Sequence, residues 1–89
     1  MANDKNIFVG EGLRRLRKSI GKTQDKLAHD SKLDRSYVGR LENDKADPSL
    51  FTIFKLAKGL EMEPHEVVKE IQKDIDFDKI FEEEPDREP

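Results

Sequence analysis

Cysteine and tryptophan are both missing from this chain of 89 residues. Without a thiol there is no disulfide, no thiolate metal site and no cysteine nucleophile, a usage that suits a reducing cytoplasm. The longest uninterrupted apolar run is "IFV", Ile7 to Val9. A membrane span needs about 20 apolar residues, so neither a membrane partner nor a signal-peptide core is expected. Histidine is scarce: His29 and His65 stand alone, which suits a surface role and offers no metal site. No glycine-rich phosphate loop exists, and the acids crowd into a tail that cannot preorganise them, so neither enzyme nor cofactor is expected. Hydrophobic residues make up 34% and charged residues 42%. That composition supplies one small core. At this length roughly 60–65% of the unfolded surface can be buried.

What is present is sharply divided by charge. Residues 1–60 hold thirteen Lys/Arg against eight acids, a net of +5, while residues 61–89 hold four against twelve, a net of −8. A basic part joined to an acidic tail points to nucleic acid, because a polyanion meets the local field and not the whole-chain balance of −3.

Apolar spacing is helical throughout. Val9, Leu13, Leu16 and Ile20 make a stripe on a first helix of roughly residues 7–19, stopped by Gly21. Thr23 is an N-cap for a short second helix through Asp30, with Leu27 and Ala28 inward. Asp34 caps a third, with Val38 and Leu41 inward; "NDKADPS" is a turn by composition. Ser49 caps a fourth, with Leu50, Ile53, Phe54, Ala57 and Leu60 on one side, and Pro64 opens a fifth carrying Val67, Val68, Ile71 and Ile75. The class is all-α, with a folded domain over 1–75 and an acidic, partly disordered extension over 76–89.

Within it, "QDKLAHDSKLDRSYVGRLEN", residues 24–43, has helix-turn-helix spacing: Ala28 is small where two helices cross, and Leu33, Val38 and Leu41 supply the packing around it. The outer face of the helix begun by Asp34 carries Arg35, Ser36, Gly39, Arg40 and Asn43, opposite Val38 and Leu41.

The residues "GLRRLRKSIGKTQDKLA", "DRSYVGRLEN" and "DPSLFTIFKLAKGLEM" resemble the lambda-repressor-like DNA-binding domains of the Xre/Cro type, over about Val9 to Ile71. Within that family, "KLDRSYV" and "PSLFTIFKLAKGL" look most like small controller proteins of restriction–modification systems. The resemblance implies a compact five-helix domain, helix three in the major groove and helix two across the backbone. It places Arg35, Ser36 and Arg40 where the family reads base edges; arginine suits guanine because its planar fork bonds O6 and N7 together. Gly39 leaves a gap beside them for a thymine methyl or a close backbone approach. Thr23 and Gln24 fall where the family bonds phosphate, and Tyr37, Asn43 and Lys45 are implied at phosphates or the groove edge. Several of these positions have a second reading: Tyr37 as core packing, Ser36 and Asn43 as local capping, Thr23 and Gln24 as caps of their own helix. Arg17 and Glu42 occupy family positions that form an ion pair between helices one and three.

Lys32, Asp44 and Glu61 depart from the family, which usually has glycine at these three turns. Lys32 gains a phosphate contact in exchange. Relatives bind two-fold operators as dimers, so a homodimer on double-stranded DNA is expected, with Val67, Val68, Ile71 and Ile75 as its surface unless they merely cover their own core. The expected function is a sequence-specific transcriptional regulator that controls restriction–modification genes. The alternative is an antitoxin-type protein-binding module, in which helix five and the acidic-apolar "DIDFDKIFEEEPD" hold a protein partner.

Overall fold

The structure, a computed structural model, describes residues 8–82. Six helices follow one another: α1 Gly10–Ser19, α2 Gln24–Ser31, α3 Arg35–Glu42, α4 Leu50–Leu60, α5 Pro64–Gln72 and α6 Phe77–Glu82. No strand occurs among the described residues. None of the helices is long and apolar enough to cross a membrane.

The core is assembled from one stripe per helix: Leu13 and Leu16 of α1, Leu27 and Ala28 of α2, Val38 and Leu41 of α3, Ile53, Leu56, Ala57 and Leu60 of α4, Val67 and Ile71 of α5. Fully burying a leucine or valine contributes about 1.5–3 kcal/mol. The seven largest side chains buried to under 2% exposure, led by Leu13, Leu27, Leu41, Leu56 and Leu60, hold five short helices that none could sustain alone.

Several expectations from periodicity are corrected. Ile20 is exposed, because α1 ends at Ser19 and the left-handed Gly21 (φ 71°) turns the chain away. On α4 the buried face is Ile53, Leu56, Ala57 and Leu60, whereas Leu50, Phe51 and Phe54 face solvent. This helix carries apolar residues on more than one face, and Leu56, absent from the expected stripe, wins the interior. Ile75 lies after α5, partly covered by the core. The start of the expected acidic extension is helical: the Asp76 carboxylate accepts from the Lys79 N–H at 3.2 Å and opens α6. Residues 83–89 of that extension lie outside the described part. Asp34 occupies the N-cap position of α3, yet only its carbonyl bonds the helix; its side chain makes no cap.

The three turns lacking the family's glycine do take left-handed backbone, with φ of 57° at Lys32, 58° at Asp44 and 61° at Glu61. That conformation costs a non-glycine residue roughly 1 kcal/mol or more. Two of the three recover something. Asp44 Oδ1 accepts the Gly10 N–H at 2.9 Å, so the residue after α3 caps the start of α1. Only glycine permits this approach, since a Cβ at position 10 would collide with the Glu42 carbonyl. Glu61 reaches Lys22, whose ammonium also donates to Asp30 at 2.7 Å and to the Gly59 carbonyl near the end of α4. The bond to Asp30 raises the Lys22 pKa, and the same bond holds Asp30 well below the usual carboxylate range.

Asp44→Ala therefore removes a cap and keeps the strained backbone, an expected loss of about 1–2 kcal/mol in urea denaturation. Asp44→Gly removes the same cap but relieves the backbone, so its loss should be smaller by roughly 1 kcal/mol. Equal losses would show that position 44 carries no left-handed strain.

Candidate nucleic-acid interface

Two short helices joined by three residues, Lys32 to Asp34, carry the candidate site. The turn is fixed by Lys32 and Leu33, whose N–H groups bond the His29 and Ala28 carbonyls at 3.2 and 2.9 Å. Ala28, 3% exposed, sits at the crossing, with Leu33 and Tyr37 packed along its edge.

Beneath the outer face lies the most demanding electrostatic feature of the molecule. Glu42 is 2% exposed and Arg17 is 9% exposed. Arg17 grips Glu42 with two parallel bonds, Nε to Oε2 at 2.6 Å and Nη2 to Oε1 at 2.9 Å, so the expected ion pair between α1 and α3 is present. Its third edge donates to the Lys22 carbonyl. Gln24 Nε2 donates to the same carboxylate at 3.0 Å, and Arg14 approaches it to 3.6 Å. Burial pushes the Glu42 carboxyl up, but the bonds from Arg17 and Gln24 and the charges of Arg17 and Arg14 outweigh it and leave it below the ordinary carboxylate value.

Above this base the site residues fall into groups. Arg35, Ser36 and Arg40 are exposed on α3, as the spacing requires, and Asn43 and Lys45 are exposed just beyond it. Arg40 stacks over the Tyr37 ring, 5.4 Å from guanidinium carbon to centroid. Tyr37 thus packs partly against the core, as one of its two readings has it, and also supports Arg40. Asn43 Oδ1 accepts from Arg14 at 3.3 Å. Thr23 caps its own helix, its Oγ1 accepting the Lys26 N–H at 3.0 Å. Lys32 is exposed in the turn.

Gly39 separates a structural from a functional demand. A Cβ there would meet only ordinary contacts, Gln24 Oε1 at 3.7 Å and Arg35 Nη1 at 3.9 Å. Packing does not require this glycine, which costs an interior helix position about 1 kcal/mol. What it provides is a hollow beside Arg35, bordered by Gln24 at the start of α2.

Two contributors were not anticipated. Arg14 precedes Arg17 by one turn on the same face, a spacing that could have revealed it. Asp25 pairs with Arg35 at 3.2 Å across the two helices, and no local pattern announces that contact. Val67 (0% exposed) and Ile71 (5%) belong to their own core, and Val68 (46%) faces solvent. Among the described residues no group of three histidine or acidic side chains converges to hold a metal ion.

Two short packed helices joined by a tight turn, with a basic outer face on the second, form a helix-turn-helix. The chain belongs to the helix-turn-helix family, whose model matches residues 13–67. It is 34% identical over 73 residues to the control protein C.MunI of a Mycoplasma species, covering 81% of this chain and 99% of that one. Among solved structures it is similar to the restriction–modification controller protein C.AhdI of Aeromonas hydrophila, with a TM-score of 0.65 and 46% identity over 68% of this chain and 92% of that one. It is also similar to C.Esp1396I bound to a 19 base pair DNA duplex, with a TM-score of 0.69 and 26% identity over 76% of this chain and 91% of that one.

Arg17→Met should cost about 3–5 kcal/mol at neutral pH, because it strands a buried carboxylate. The pH dependence has a defined sign. Glu42 has a depressed folded pKa, so its stabilisation is complete above its unfolded value, about 4.3, and is lost as pH falls through the folded value. The gap between the native protein and Arg17→Met should accordingly narrow below that pH in urea titrations. A gap that stays constant into acid would remove Glu42 from the explanation.

Proposed function

We propose that this protein is a sequence-specific, double-stranded DNA-binding regulator of transcription that controls restriction–modification genes and binds a two-fold operator as a homodimer. The observation that carries the reading is the outer face of α3, where Arg35 and Arg40 flank a glycine that packing does not require. A helix lying in the major groove with its first turn inward brings Arg35 and Ser36 to base edges, and Arg40 one turn later. Thr23 and Gln24, at the positive N-terminus of α2, meet the phosphates, as do Lys32, Tyr37, Asn43 and Lys45 around the groove. The relatives support this reading: C.MunI and C.AhdI are controller proteins, and C.Esp1396I has been seen on DNA.

One domain spans about half an operator, and two copies on a two-fold site lie roughly 34–36 Å apart. Since Val67 and Ile71 are committed to their own core, the self-association surface falls to Val68 and to the outer apolar residues of α4: Leu50, 70% exposed, Phe51, 69%, and Phe54, 53%. Ile75 adds the little that its own core leaves uncovered.

Selection of bound duplexes from random DNA, followed by anisotropy titrations, tests the reading. Arg35→Ala and Arg40→Ala should each lose about 1–3 kcal/mol of discrimination at particular base pairs while folding normally. Lys45→Ala should weaken every duplex alike and shallow the salt dependence by roughly one counterion. A folded protein with no preference among duplexes at low salt overturns the proposal. Phe54→Glu should convert a concentration-dependent dimer into a monomer in sedimentation; a native protein that is monomeric at every concentration removes the dimer.

A further inference from the structure

We infer that Asp25, in the first turn of α2, is a positioning residue for Arg35, holding the Nε edge of its guanidinium so that the terminal Nη1/Nη2 fork is presented to a guanine while phosphate is disfavoured. The inference rests on the reading of Arg35 as a base contact.

The geometry is specific to one edge of the group. Asp25 Oδ1 lies 3.2 Å from Arg35 Nε. A guanidinium has a fixed plane of five donors, and an ion-pair contact at its Nε end leaves the end-on fork, the pair that matches O6 and N7 of guanine, to other partners. Beneath it, Arg35 Nη1 is 3.9 Å from where a Cβ on Gly39 would stand. The guanidinium thus lies along α3 over the hollow. Gln24 closes the far side, its Oε1 3.7 Å from the same point and its Nε2 held by buried Glu42. Carboxylate, hollow and amide together limit the directions in which Arg35 can point.

Stability does not explain the pair. Both side chains are well exposed, Arg35 at 60% and Asp25 at 80%, and such ion pairs in water contribute little to folding. Asp25 also favours the α2 N-terminus as any acid there does, but that role needs no arginine. A carboxylate at a DNA-facing surface is repelled by every phosphate. It is tolerable where the arginine it holds meets a neutral base edge, and costly where the same arginine would settle on backbone. Its net effect is to widen the gap between operator and random DNA.

The test uses the full chain with Asp25→Asn, Arg35→Ala and the double variant. Anisotropy is measured on the selected operator, on an operator changed at the base pair where Arg35→Ala loses preference, and on a random duplex. Asp25→Asn should bind the random duplex several-fold more tightly and lose about tenfold of the preference at that base pair, the equivalent of 1.4 kcal/mol. In the Arg35→Ala background the change at that base pair should vanish. Asp25→Glu, which restores the charge, should recover most of the preference. If Asp25→Asn strengthens all duplexes equally while Arg35→Ala still abolishes the preference, Asp25 is only a helix-end charge and the inference fails alone. If Arg35→Ala leaves every preference intact, the base-contact reading falls and takes the inference with it.

Discussion

The bond between Arg17 and Glu42 is the constraint on which the reading face depends. Taking two charges out of water costs several kcal/mol per ion, and only excellent geometry with further hydrogen bonds returns it. Here the geometry is bidentate and the remaining partners are filled: Gln24 and Arg14 at the carboxylate, the Lys22 carbonyl at the guanidinium. Because the partners come from α1, the α1–α2 turn, α2 and α3, the pair does more than join two helices. It fixes the roll of α3 against the scaffold, and through Gln24 it fixes the start of α2 against α3. A rotation of α3 that moved Arg35 and Arg40 off the outer face would break bonds that water cannot replace inside the core.

A second layer of constraint comes from turns that use charged residues where glycine would be unstrained. At Asp44 and Glu61 the left-handed backbone is offset by what the side chain can reach, the Gly10 N–H in one case and Lys22 in the other. Glycine at those positions would relax the turn and lose the tie. Both ties run across the domain: the end of α3 to the start of α1, the end of α4 to the turn before α2. Lys32 has no such return among its bonds, only the backbone ones that close the turn. It is also the one of the three that sits within the helix-turn-helix, in the turn between its two helices.

Much of this was legible in the sequence, and the failures share a cause. Helices α1 to α5, the crossing at Ala28, the outward set Arg35, Ser36 and Arg40, and the Arg17–Glu42 pair all follow from spacing or from resemblance. Periodicity fails where a helix is apolar on more than one face. On α4 the residues Leu50, Phe51 and Phe54 compete with Ile53, Leu56 and Ala57 for the interior, and only the neighbouring helices decide. The same ambiguity placed Val67 and Ile71 on an intermolecular surface when the domain needed them for itself. Asp25 and Asp44 were illegible for another reason. Each acts on a residue far along the chain through a single oxygen, and neither spacing nor composition encodes such contacts.

The charge division gains a physical role once the pairs are placed. Acids after position 60 pair with cations of the basic half: Glu70 and Asp74 clamp Arg15 of α1, and Glu61 shares Lys22. The bonds from Lys73 and then Arg15 hold Glu70 below the usual carboxylate range. Among the described residues no acid from that half pairs with α3. The acidic half therefore pairs with cations of α1 and the turn after it, and with none of α3 among the described residues. A cation away from α3 attracts phosphate in orientations that read no base. Pairing Arg15 and Lys22 removes part of that attraction, so a net negative chain is compatible with binding a polyanion.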